Sequence, residues 1–145
     1  MAQTSLATHR QSPGRSLGLR AATSGELIRQ VGQGFSFHAL RIFQSRSGVS
    51  LSEVASIIGI PPRTLARRRS SGRLTSDESE KLLRLSSVYE QAMDLFEGDI
   101  ESARKWLTTP KKALENHSPL EYSRTELGAR EVENLIGRLE HGVFS

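Results

Sequence analysis

The sequence contains no cysteine among its 145 residues. Without thiols the chain cannot form disulfides, thiolate zinc sites or cysteine nucleophiles. It also lacks an apolar run close to the roughly 20 residues that a membrane span needs, and its first residues lack the apolar core of a secretory signal. We therefore expect a cytoplasmic protein with no membrane partner.

Motifs of enzyme chemistry are also missing. The four histidines are far apart, so none has a neighbour at the short helical spacing of a metal site. The sequence contains neither a phosphate loop nor a Gly-x-Ser-x-Gly elbow. We expect no catalytic residue, no metal and no cofactor, and we expect that the protein is not an enzyme.

The charges that are present divide unevenly along the chain. Residues 1–75 contain 11 arginines, no lysine and 2 acidic residues, a net charge of +9. Residues 76–145 contain 9 basic and 14 acidic residues, a net charge of −5. A basic half followed by an acidic half predicts two tasks, one of them contact with a polyanion such as DNA.

Hydrophobic periodicity and capping residues predict an all-α protein in two parts. Residues 1–22 are polar and basic, which is typical of a flexible tail. A basic helical half over 23–75 precedes an acidic helical half over 76–145. The expected helices, besides those of the motif described next, cover 24–30, 36–46, 76–97, 100–107 and 125–140, with single turns at 111–114 and 118–121.

The basic half contains a helix-turn-helix pattern. Ser50 can cap a first helix, and Gly59 can end it because glycine accepts a positive φ without penalty. Two prolines at 61–62 then suit the start of a second helix. Small Ala55 permits close approach, and Leu65 is placed to pack the second helix on the first.

The second helix of this pattern is rich in arginine. In a helix-turn-helix the N-terminal part of the second helix faces base edges in the major groove, where arginine can bind guanine. Arg63, Thr64 and Arg67 form the stripe that we expect to read bases. Arg68 shares the edge of Thr64, and Arg69 is placed for the phosphate backbone. The alternative is a surface arginine cluster on a helical hairpin.

The acidic half carries a characteristic series of residues. Over about 40 residues it reads W-L-x-x-P-x-x-x-L, then S-P-L, then T-x-x-G-x-x-x-V-x-x-L and a late glycine. In this order and spacing, residues 86–145 resemble the toxin-binding domain of Xre/MbcA/ParS-type antitoxins. The upstream helix-turn-helix is similar to the Xre-like half of the same family. The sequence departs at Asn116-His117, where the family often has a glycine.

The resemblance implies an antitoxin of a bacterial type II toxin–antitoxin system. Its partner in such families is usually a RES-domain toxin, which degrades NAD. The antitoxin neutralises the toxin by direct binding, often with its C-terminal part near the entrance of the toxin's active site, and represses its own operon. We expect a homodimer, because palindromic operators match two-fold protein symmetry.

The toxin-binding residues are expected in the acidic half. Trp106 is either a core residue or an anchor that faces the partner. Glu126, Arg130 and Glu133 are expected on the outer face of the last helix, and Val143, Phe144 and Ser145 follow a helix end set by Gly142. One alternative is a helix-turn-helix regulator whose C-terminal half serves only dimerisation. Another is an adaptor that has lost DNA binding.

Overall fold

The computed structural model describes residues 13–21 and 23–142. Within these ranges the chain forms eight α-helices and no β-strand. The all-α prediction is therefore confirmed. The helices are α1 (Ser24–Gln33), α2 (Phe37–Ser47), α3 (Leu51–Ile57), α4 (Pro62–Ser71), α5 (Ser76–Leu95), α6 (Ile100–Thr108), α7 (Pro119–Tyr122) and α8 (Glu126–Glu140). Two 3₁₀ turns, Arg15–Leu17 and Lys112–Leu114, precede α1 and follow α6.

Side-chain caps fix where most of these helices begin. The Ser50 hydroxyl accepts a hydrogen bond from the Glu53 amide at 3.1 Å, at the start of α3. At the start of α5, Thr75 and Glu78 form a reciprocal capping box. At the start of α8, the Thr125 hydroxyl accepts a hydrogen bond from the Gly128 amide at 2.9 Å. Each cap satisfies an amide that has no partner within its helix.

The long helix α5 contacts helices of both halves. It packs against α1 and α2 of the basic half and against α6 and α8 of the acidic half. Leu82, Leu85 and Val88 of α5 are fully buried, and Phe43 of α2 meets Tyr89 edge to face at 5.5 Å between ring centres. The buried apolar residues form one continuous cluster, so the basic and acidic halves share a single core. No helix in the described ranges is long and apolar enough to cross a membrane.

The segment 13–21 differs from the flexible tail that we predicted for residues 1–22. Leu17 is 1% exposed and packs in the core, while Ser16 is buried beside Glu90. The Glu90 carboxylate accepts from the Ser16 amide at 2.9 Å and from the Ser16 hydroxyl at 2.5 Å. One buried leucine and one buried carboxylate therefore hold this segment on α5. Residues 1–12 and residue 22 lie outside the described part of the chain.

Glu90 is unusual because it is an acidic side chain in the core. Burial raises the pKa of its carboxyl above the ordinary value, although the two Ser16 hydrogen bonds and the charge of Arg15 oppose that shift. The Nη1 atom of Arg15 lies 3.7 Å from the carboxylate. The attachment of the N-terminal segment thus depends on a titratable group.

Candidate functional site

The predicted helix-turn-helix is formed by α3 and α4. After α3, Gly59 adopts φ 81°, and the Ile60 amide donates back to the carbonyl of Ala55 at 2.8 Å. Pro62 occupies the start of α4, where its missing N–H removes no hydrogen bond. Ala55 is 1% exposed and, with Ile60 and Leu65, lines a cleft of about 470 Å³ between the two helices.

The second helix of the motif faces solvent along its length. None of its residues is buried, and Arg63, Arg67 and Arg69 are exposed. Thr64 is half-buried, and its hydroxyl accepts from the Nη2 atom of Arg67 at 3.3 Å. The helix contains no acidic residue, so its exposed surface is cationic. Such a surface can pair with phosphates or with the acceptor atoms of guanine.

Arg68 differs from its exposed neighbours because its guanidinium is paired within the protein. Its Nε atom lies 2.8 Å from Oε1 of Glu78, and its Nη2 atom lies 3.0 Å from Oε2 of the same carboxylate. Only 23% of the Arg68 side chain and 12% of the Glu78 side chain are exposed. This bidentate ion pair ties α4 to the start of α5. Arg73 is also held internally, with its Nη1 atom 2.6 Å from the carbonyl oxygen of Gly34.

The environment of Glu78 is consistent with a stable ion pair. Burial alone would raise the pKa of its carboxyl. The hydrogen bonds from Arg68 and from the Thr75 amide, together with the charge of Arg68, outweigh burial and hold that pKa below its ordinary value. Glu78 is therefore ionised at neutral pH, and its guanidinium partner stays beside it.

Trp106 is neither fully buried nor fully exposed. It is half-buried on α6 and packs against the core. Its ring centre lies 6.4 Å from that of Phe96, and the ammonium of Lys111 lies 5.3 Å from it in a cation–π contact. Partial burial lowers the pKa of Lys111. The indole thus supports α6 and still presents part of its surface to solvent.

The three residues predicted on the outer face of the last helix lie along one groove. Glu126, Arg130 and Glu133 all line a groove of about 430 Å³ between α5 and α8. Glu126 and Arg130 are exposed, but Glu133 is half-buried and turned toward α5. Its Oε2 atom accepts from the side-chain amide of Gln91 at 2.9 Å. The outer-face prediction is therefore wrong for Glu133, because a polar contact with α5 holds its carboxylate.

The end of the last helix matches the prediction. Helix α8 ends at Glu140, and Gly142 adopts φ 69°, the left-handed conformation expected of a glycine just past a helix. Val143, Phe144 and Ser145, which we predicted to bind a partner, lie outside the described residues.

Two arginines that the sequence analysis missed connect the acidic half to the basic half. The Nε atom of Arg104 donates to the carbonyl of Ser47 at the end of α2, at 2.7 Å. The Nη1 atom of Arg124 donates to the carbonyl of Ser56 in α3, at 2.8 Å. A cation is favourable at a helix C-terminus, where carbonyls lack partners. These partners are 57 and 68 residues apart, so no local pattern could have indicated them.

Comparison with known families matches both parts of the chain. Residues 26–87 match the model described as the antitoxin Xre-like helix-turn-helix domain. Residues 91–142 match the model of the antitoxin Xre/MbcA/ParS C-terminal toxin-binding domain. The boundary between the two matches falls inside α5, between residues 87 and 91, whereas the charge pattern divides the chain at residue 75.

Relatives from three bacteria carry the description antitoxin Xre. The protein from Yersinia enterocolitica is 41% identical over 140 residues, which are 96% of this chain and 95% of that relative. The protein from Photorhabdus laumondii is 34% identical over 132 residues, 90% of this chain and 89% of that relative. The protein from Pseudomonas putida is 32% identical over 84 residues, 57% and 52% respectively.

Proposed function

We propose, since this chain belongs to the Xre family of antitoxins, that it neutralises a cognate RES-type, NAD-degrading toxin and represses its own operon. The match of residues 91–142 to a toxin-binding domain is the observation that carries the first part. The cationic surface of α4 supports the second. The proposed role is binding rather than catalysis. Since bacterial operator DNA lies in the cytoplasm, we propose that the protein acts there.

The proposed DNA contact follows from the exposed arginines of α4. We assign Arg63, Arg67 and the Thr64 hydroxyl to base edges in the major groove, and Arg69 to the phosphate backbone. We assign Arg68 to holding α4 against α5 through Glu78 rather than to DNA. A homodimer would present two copies of α4 to the two halves of a palindromic operator.

The proposed toxin contact lies in the acidic half. Its net charge of −5 would complement a basic surface, and charge complementarity of this kind accelerates association. We assign contacts to the exposed part of Trp106, to Glu126 and Arg130, and to residues 143–145. The carboxylate of Glu133 accepts a hydrogen bond from Gln91. We therefore assign Glu133 to holding α8 on α5 rather than to a toxin contact.

Co-expression tests the proposal. The open reading frame beside the gene is induced in a bacterial expression host with and without this chain. We expect growth arrest and NAD loss from the neighbour alone, recovery of both with the chain, and co-purification of the two proteins. If the chain neither rescues growth nor co-purifies, while still shifting its promoter DNA, it is a regulator whose C-terminal half only dimerises.

A further inference from the structure

A leucine on the surface of the acidic half lacks apolar cover. Leu127, in the first turn of α8, is 70% exposed. Among the described large hydrophobic residues only Ile28, in the basic half, has a comparable exposure of 69%. Single exposed apolar side chains are common on protein surfaces, so the residues around Leu127 decide whether it belongs to a binding site.

Leu127 lines a groove of about 500 Å³ formed where α7 turns into α8. The aromatic rings of His117 and Tyr122 also line this groove, with 5.8 Å between their centres. Glu121, Arg124 and Glu131 add three charged side chains to the lining, which we call its rim. Apolar and aromatic groups beside charged groups are typical of protein–protein contact sites.

Backbone contacts hold the groove in shape. The helices α7 and α8 approach so closely that a Cβ atom on Gly128 would lie 1.8 Å from the carbonyl oxygen of Tyr122. The Ser118 hydroxyl caps α7, and the Thr125 hydroxyl caps α8. At the rim, the Nη2 atom of Arg124 lies 3.0 Å from Glu121 while its Nη1 atom reaches α3. A preformed surface loses little conformational entropy when a partner binds.

We propose that this groove, which we call the α7–α8 groove, is a principal docking surface for the toxin, with Leu127 as its anchor. The inference rests on the proposed function. Every lining residue lies within residues 91–142, the stretch matched to a toxin-binding domain. The expected complement is an apolar pocket flanked by lysine or arginine, because Glu121 and Glu131 outnumber Arg124 at the rim.

A second copy of this chain is a less favourable occupant of the groove than a basic partner surface. Across a two-fold axis the same patch meets itself, so a patch with an excess of carboxylates would meet another patch with the same excess. Like charges that face each other across an interface are unfavourable. The net charge of −5 of the acidic half adds to this repulsion.

The test compares Leu127→Asp with Ile28→Asp as a matched control. Both variants place a carboxylate at an exposed position in the first half of a helix, where it does not disturb the core. The dissociation constant of each full-length variant is measured by calorimetry against the purified toxin from the neighbouring gene. We expect Leu127→Asp to weaken binding at least about 10-fold and Ile28→Asp to change it less than about 2-fold.

The alternative outcomes are distinct. Toxin affinity equal to wild type in Leu127→Asp overturns the docking surface, even if the wild type binds toxin tightly. A sedimentation experiment in which Leu127→Asp dissociates a wild-type dimer without a change in toxin affinity would show a self-interface instead. If the wild type does not bind the toxin at all, the proposed function fails and the docking surface fails with it.

Discussion

Two adjacent arginines of α4 should respond to alanine substitution in opposite ways. Arg67 is exposed, and its only described hydrogen bond is a long one of 3.3 Å to Thr64. Arg68 makes two charge-assisted hydrogen bonds to Glu78, at 2.8 and 3.0 Å. We expect Arg67→Ala to impair DNA binding with little loss of stability, and Arg68→Ala to destabilise the fold with little loss of DNA affinity.

The magnitudes follow from burial. Exposed ion pairs contribute about 0.2–1 kcal/mol, and breaking a fully buried pair costs about 3–5 kcal/mol. The Arg68–Glu78 pair is between these limits, with 23% and 12% of the two side chains exposed, so we expect a loss near 1–3 kcal/mol. In a chain of this length that loss lowers the Tm by about 4–12 °C. For Arg67 we expect a loss of about 1–3 kcal/mol in promoter binding if it reads a base, and a stability change below about 0.5 kcal/mol.

Thermal unfolding by circular dichroism and promoter binding by fluorescence anisotropy separate the two effects. Binding is measured at one salt concentration and well below the Tm of either variant, because DNA affinity depends strongly on salt. A loss of promoter affinity in Arg68→Ala at unchanged Tm would refute the positioning role of Arg68. Unchanged affinity in Arg67→Ala, and also in Arg63→Ala, would refute the base-reading stripe.

Four further predictions concern stability and the toxin. Because burial raises the pKa of Glu90 in the folded state, the contribution of this group to stability is greatest below its unfolded pKa and is lost as the pH rises through the raised folded pKa. Glu90→Gln should flatten this part of the curve of unfolding free energy against pH, and an identical curve would contradict the assignment. Gly128→Ala should cost about 2–3 kcal/mol, since the added Cβ would lie 1.8 Å from Tyr122 O, whereas Gly137→Ala in the same helix meets nothing within 4 Å and should be neutral or stabilising by up to about 1 kcal/mol in urea unfolding. Trp106→Ala should cost about 2–3 kcal/mol, less than a fully buried tryptophan, and should weaken toxin binding; loss of binding at unchanged Tm would show a pure anchor. Deletion of residues 143–145 should weaken inhibition of the toxin in an NAD assay without changing promoter affinity, and full inhibition at wild-type affinity would remove these residues from the toxin contact.

Local chemistry made the helices predictable from the sequence. The cap at Ser50 and the turn at Gly59 lie where the pattern indicates, because each acts within a few residues. The prediction for the first helix ended at residue 30, but α1 continues through Gly32 to Gln33. The helix ends at Gly34, where only glycine fits. Gly34 has φ 88°, and a Cβ atom added to it would lie 2.2 Å from the carbonyl oxygen of Leu74.

The departure from the family pattern at Asn116-His117 also has a local explanation. Glu115 and Asn116 both adopt positive φ, at 55° and 66°. Such a conformation favours glycine, and asparagine is among the few other residues that tolerate it. Asn116 therefore allows this turn to form without a glycine.

Contacts between distant parts of the chain were not predictable from local patterns. Arg68 is one of three consecutive arginines, and nothing in the helix pattern marks it as the one that pairs with Glu78. Leu17 lies in a segment with little apolar periodicity, and its burial depends on helices that follow much later. Helical spacing alone could not show whether the side chain of Glu133 faces α5 or solvent. Each of these outcomes is decided by packing against another element.

The central claim is that one chain carries two separable binding surfaces, one for DNA and one for a toxin. The direct measurement is a titration of purified toxin from the neighbouring gene with the wild type and with the double variant Arg63→Ala/Arg67→Ala, following NAD loss. We predict that both proteins stop NAD loss at the same molar ratio, while only the wild type binds promoter DNA. Continued NAD loss at every ratio of wild type would contradict the account.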